Sequence, residues 1–207
     1  FRTPRRKDLV LLAWGLVVGV LVQIVIGGIV VLTGLNPYAN MAHFLVSLVL
    51  VANAFILFRR SGGEPDTYFR SGPPRIVTAI RLVVGSSSLA LVTGTVVTAS
   101  GPHAGDENAV RLGFAMTSVA RVHSVSVLLT IALIIFLAVR AKQLNSDVNT
   151  TDAIQALLFA AVFQGAIGYA QYFTGVPVAL VAAHIVGATA LWFAVCNLAV
   201  SPSRGTL

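Results

Sequence analysis

Apolar positions along the chain gather in long unbroken stretches, with only weak period-2 alternation between them. Six stretches, residues 9–32, 41–58, 76–100, 120–139, 153–173 and 178–200, are long enough to cross a hydrocarbon core as helix, which takes about 20 residues with a spread of roughly 17 to 25. No regular apolar/polar segments of about ten residues recur, which argues against a β-barrel. The pattern predicts an all-α integral membrane protein with six transmembrane helices.

Polar interruptions set how the helices connect. Residues 34–40 and 174–177 are short, so the first and last pairs of helices form tight antiparallel hairpins. Residues 101–119 make a longer connection. Gly101-Pro102-His103-Ala104-Gly105-Asp106 breaks the helix there, and residues 111–119 are apolar enough to predict a short helix on the membrane surface. Residues 59–74, with Gly62-Gly63 and Pro73-Pro74, are polar and mark the boundary between two halves. The division this predicts is a hairpin in residues 1–60, a linker in 61–74 and a four-helix bundle in 75–207.

The two terminal hairpins share one phrase. Gln23, Gly27, Thr33-Gly34 and His43 recur at identical spacing as Gln164, Gly168, Thr174-Gly175 and His184. Each copy delivers a histidine just inside the start of its second helix, as expected for paired haem or metal sites in a membrane bundle. If the repeating unit is four helices, the pattern predicts two further helices ahead of Phe1.

Composition agrees with a membrane protein: of 207 residues, 57% are hydrophobic and 10% charged, against about 25% charged in soluble domains. A net charge of +7 is what a nucleic-acid partner would call for, but its distribution points elsewhere. Arg2, Arg5, Arg6, Lys7, Arg59, Arg60, Arg70, Arg75, Arg140, Lys142 and Arg204 fall on one side of the predicted membrane. Arg111 and Arg121 fall on the other, and Arg81 lies inside the third helix. That asymmetry follows the positive-inside rule. It predicts a plasma-membrane protein with both ends of this chain cytoplasmic and no nucleic-acid partner.

Ionisable groups within a membrane are costly and usually functional. All seven carboxylates lie in loops or at helix ends, which counts against an ion-coupled transporter. His43, His123 and His184 instead fall early in alternate helices, at one depth toward the outer face. One histidine near a helix start most often bonds a neighbouring helix or reaches for the interface. Three at matching depth, two of them inside a repeat, point to ligation, and bis-imidazole binding of a haem needs one ring from each side. His103, in a polar loop, reads as solvated. Arg121 either pairs with a haem propionate or anchors its helix at the headgroups.

The remaining candidates have simpler readings. Gln23 and Gln164, mid-helix, need interhelical partners. Thr33 and Thr174 end their helices, with Gly34 and Gly175 as left-handed caps. Gly15 and Gly19, and Ala179, Ala183 and Gly187, form small-residue strips that let a helix or a porphyrin plane approach closely. Cys196, the single cysteine, reads as a buried structural thiol.

Residues 23–43 (QIVIGGIVVLTGLNPYANMAH), 93–106 (TGTVVTASGPHAGD), 121–124 (RVHS) and 164–184 (QGAIGYAQYFTGVPVALVAAH) together resemble the haem A synthase family. The resemblance implies two pseudo-symmetric four-helix bundles and an oxidoreductase that converts a methyl group of haem O to a formyl group, making haem A for terminal oxidases. It implies His123 and His184 as ligands of a haem b cofactor, Arg121 beside it, and His43 as a catalytic ligand on the haem O substrate side. The family's first hairpin, with a partner histidine and a glutamate, has no counterpart in this chain, so the chain by itself is expected to be incomplete for catalysis. Implied partners are the lipid bilayer, haem O, haem O synthase or respiratory-complex subunits, and a second copy of the chain. The competing reading is a non-catalytic b-type haem-binding or electron-transfer subunit of a respiratory complex.

Overall fold

The computed structural model describes residues 6–62, 73–102 and 108–200. Six helices account for nearly all of them: α1 (Lys7–Leu32), α2 (Pro37–Ser61), α3 (Pro74–Ser100), α4 (Met116–Gln143), α5 (Val148–Phe173) and α6 (Val178–Val200). Every one is long and apolar enough to cross a membrane. The protein is an all-α multi-pass membrane protein, as its apolar stretches predict. The helices overrun those stretches by up to five residues, because polar and basic residues at a membrane boundary continue the backbone hydrogen-bonding that the apolar span begins.

Helices α3, α4, α5 and α6 close a ring in which each packs on its two sequence or ring neighbours. Helix α2 lies against α3 and α6, and α1 packs chiefly on α2. The side chains that seal this arrangement are specific. Trp192 Nε1 on α6 donates to the Leu48 carbonyl on α2 at 2.9 Å, and Phe55 meets Phe193 edge to face with ring centroids 5.5 Å apart. Between α1 and α2, Asn53 Nδ2 donates to the Leu12 carbonyl at 3.2 Å. Gly15 and Gly19 leave the room that Asn53 and Leu50 occupy, so this strip serves helix packing.

The four-helix ring is solid at one end and hollow at the other. Ile76, Ile80 and Val83 of α3 meet Ile134 and Leu137 of α4, Ile154 and Leu157 of α5, and Val195 and Leu198 of α6 in one buried core. All of these belong to the half nearest Arg75, Arg140 and Lys142. Toward the opposite end, the facing positions become small, with Ala90, Gly94, Ala161, Gly165, Gly168 and Ala188, and the interior opens.

The turns bear out the repeat down to the backbone. Thr33 Oγ1 donates to the Ile29 carbonyl at 2.6 Å and Thr174 Oγ1 to Ala170 at 2.7 Å. Gly34 and Gly175 follow with φ of +62° and +80°, the left-handed region that glycine enters at no steric cost. The next residues, Leu35 and Val176, also have positive φ, which is strained for a β-branched valine. Asn36 then caps α2, its side-chain oxygen accepting from the Tyr38 and Ala39 amides.

One expectation fails. Residues 110–115 are irregular rather than helical, and 116–119 form the first turn of α4 instead of a separate surface helix. Leu112 is buried and its amide bonds the Ala99 carbonyl at 3.0 Å. Ala109 and Leu112 turn into the end of the bundle and are buried there, while Val110 and Phe114 stay exposed.

Candidate functional site

Each histidine is presented by the second helix of a hairpin and rests on a glycine of the first. A methyl group added to Gly168 would lie 3.0 Å from His184 Cε1, one on Gly94 3.1 Å from His123 Cε1, and one on Gly27 3.3 Å from His43 Cε1. All three contacts are tighter than ordinary van der Waals spacing, so the imidazoles lie flush on helix backbone where no side chain intervenes. Gly94 was not singled out from sequence as a partner of His123. Its signal was present, since Gly27 and Gly168 each precede their histidine inside a hairpin, but the longer connection after α3 hides the matching spacing.

Two of the three histidines come together. The His123 and His184 rings meet edge to face, with centroids 6.5 Å apart and planes at 85°. Both line a cavity of about 730 Å³ in the hollow half of the bundle, a size within the roughly 300–1,000 Å³ typical of small-molecule and cofactor sites. Its walls are largely apolar, with Gln164, Thr95, Thr98 and the histidines as polar points, and Asn40, Met41 and Phe44 of α2 closing one side. Arg121 is exposed and lines the same cavity at its outer end. His43 is not among the lining residues; it sits against α1 at Gly27. His103 lies outside the described residues.

The hydrogen bonds around the three rings differ. His123 Nδ1 is 3.1 Å from Thr93 Oγ1. That hydroxyl has one proton and two carbonyls at 3.0 Å, of Leu89 and Ala90, to receive it. With that proton given to a carbonyl, Thr93 Oγ1 accepts from a His123 Nδ1–H, the tautomer that leaves Nε2 its lone pair. Ser126 Oγ completes the group, donating to the His123 carbonyl at 2.7 Å and standing 2.9 Å from Thr93 Oγ1. Nδ1 of His184 and of His43 are buried and have no hydrogen-bond partner among the described residues.

The glutamines of the repeat find the same target twice. Gln23 Nε2 donates to the His43 carbonyl at 3.0 Å and also reaches Ser47 Oγ. Gln164 Nε2 donates to the His184 carbonyl. Gln164 Oε1 fills the space where a Gly187 side chain would begin. Gly187 is thus needed for packing, while Ala179 and Ala183 lie exposed on the outside of α6. The amides hold each histidine helix at a fixed rotation and depth against its hairpin partner.

Among the described residues, no group of three or more His, Cys, Asp or Glu side chains could cage a bare metal ion. Two facing imidazoles suit a metal whose other positions are filled by a macrocycle. The described residues therefore define a helical membrane protein with a largely apolar cavity lined by a histidine pair. Comparison of the chain with protein-family models and with curated protein sequences yields no match.

Proposed function

We propose that the chain is the haem-holding part of a haem A synthase-type oxidoreductase, which oxidises a methyl group of haem O to a formyl group. The observation that carries this reading is the His123–His184 pair, facing at 6.5 Å across a cavity of about 730 Å³. In it, His123 and His184 hold a haem b, Gly94 and Gly168 let their rings lie back on α3 and α5, and Gln164 holds the α6 backbone at His184. Arg121 at the outer end of the cavity pairs with a propionate. His43, set apart on the α1–α2 hairpin in the matching environment, serves the substrate haem O. A bound haem supplies a redox-active iron, which carries the oxidation. The basic ends of the helices face the cytoplasm of a plasma-membrane protein.

A second reading, a non-catalytic b-type electron carrier, is favoured by the separation of His43 from the cavity. The two part on one experiment. His123→Ala or His184→Ala abolishes the low-spin haem b spectrum of the purified chain on either reading, and an unchanged spectrum removes both. His43→Ala leaves that spectrum intact and blocks haem A formation in the full-length protein only if the chain belongs to the enzyme. Normal haem A output from that variant leaves the electron carrier.

A further inference from the structure

A second depression lies at the other end of the bundle, far along α3 and α4 from the histidines. It is a groove of about 310 Å³ between the start of α3 and the end of α4. Arg75 and Arg140 stand at its charged end, with Thr78 one turn further along α3. Leu82 and Phe136 line it deeper in the span, Leu82 about 10 Å along the helix from Arg75 by helical rise. The groove thus runs from cationic to apolar in the direction that a phospholipid runs from phosphate to acyl chain.

The two arginines differ from their neighbours in what they face. Arg6, at the same end, is paired with Asp8 at 3.1 Å. Arg140 lies 5.2 Å from the centroid of the Phe136 ring and donates to the neutral Gln143 Oε1 at 3.1 Å. These contacts orient its guanidinium, and neither partner carries a charge that offsets it. Among the described residues no carboxylate lines the groove. Arg75, Leu82 and Phe136 are exposed on the bundle's lateral surface, where lipid is the surrounding solvent. A planar guanidinium is the side chain best suited to two parallel hydrogen bonds with a phosphate, and basic pockets between transmembrane helices are where anionic headgroups are held.

We propose that the α3–α4 groove is a binding site for an anionic phospholipid, its phosphate held by Arg75 and Arg140 and an acyl chain lying along Leu82 and Phe136. The inference does not rest on the haem reading. Native mass spectrometry of the full chain with dioleoylphosphatidylglycerol or dioleoylphosphatidylcholine tests it. The glycerol lipid is expected to be retained about tenfold better. Arg75→Glu, at an exposed position, and Arg140→Gln each remove that preference, while Lys142→Gln, basic and at the same end but outside the groove, keeps it. Equal retention of the two lipids overturns the proposal. So does a preference that survives in R75E, or one lost equally in K142Q, since the selectivity would then come from general surface charge. Displacement of the lipid by millimolar inorganic phosphate would identify a free-anion site instead.

Discussion

Three histidines at one depth do not share one hydrogen-bonding state. His123 Nδ1 lies 3.1 Å from Thr93 Oγ1, whereas Nδ1 of His43 and His184 is buried with no partner among the described residues. A hydrogen bond at the far nitrogen makes an imidazole a stronger ligand and fixes its orientation. On the proposed function, Thr93→Val, which keeps the shape and loses the acceptor, raises the haem midpoint potential because the weakened ligand stabilises the oxidised iron less. Thr93→Ser restores it, and redox titration of both variants checks the pair; an unmoved potential in T93V reduces Thr93 to packing. Gly187→Ala acts on the other ligand. The new methyl group takes the space of Gln164 Oε1 and breaks the bond to the His184 carbonyl. The expected loss is about 1–2 kcal/mol of stability, read as a lower melting temperature in detergent. The repeated Gln-to-His spacing was visible in the chain; the Thr93–His123–Ser126 group was not, because its members lie on different helices at unrelated separations.

The helices themselves were legible from apolar runs, and their ends from glycine, proline and asparagine. The sequence-based spans fall short because apolarity locates the hydrocarbon core, whereas the hydrogen-bond ladder continues into the interface. Pairing within hairpins was also legible, since a turn of a few residues leaves two helices no choice but to run antiparallel side by side. The strip in α1 illustrates how such a pair is held. Gly19 faces Leu50 so closely that a side chain there must push the Leu50 side chain from its place between α1 and α2. Gly19→Leu is expected to destabilise the hairpin by about 1–3 kcal/mol through overpacking, lowering the melting temperature while leaving the spectrum of the His123–His184 site unchanged. Loss of that spectrum would mean that the hairpin supports the four-helix ring more than its contacts indicate. The loop of residues 108–115 shows the opposite case. Its apolar residues predict a surface helix, and the structure turns Ala109 and Leu112 inward, because closing the hollow end of the bundle offers them a buried seat.

The whole bundle divides into a packed end and a hollow end, and charge follows the same axis. Arg6, Arg59, Arg60, Arg75, Arg140 and Lys142 mark the packed end, Arg111 and Arg121 the hollow one. On the proposed topology, with the basic ends cytoplasmic, the cavity opens outward. A membrane-impermeant thiol reagent applied to intact cells is expected to label Val110→Cys, at an exposed position of the hollow end, and to leave Leu144→Cys at the packed end unlabelled until the cells are opened. Cys196 is buried and adds no background. The reverse pattern would invert the topology.

Class, helix number, hairpin pairing and the repeat were settled by the amino-acid sequence, because each depends on interactions between residues close along the chain or on transfer of one segment into lipid. The family resemblance implies His123 and His184 as a pair, but the packing that brings these two rings together is visible only in the tertiary structure. His43 and His184 share a motif, yet His184 faces His123, because α6 closes a ring with α3 to α5 while α2 lies outside it. The cavity has the same origin. Small residues on four helices leave a void only where the helices bring those positions to one depth, and that alignment is a property of packing that no single segment encodes.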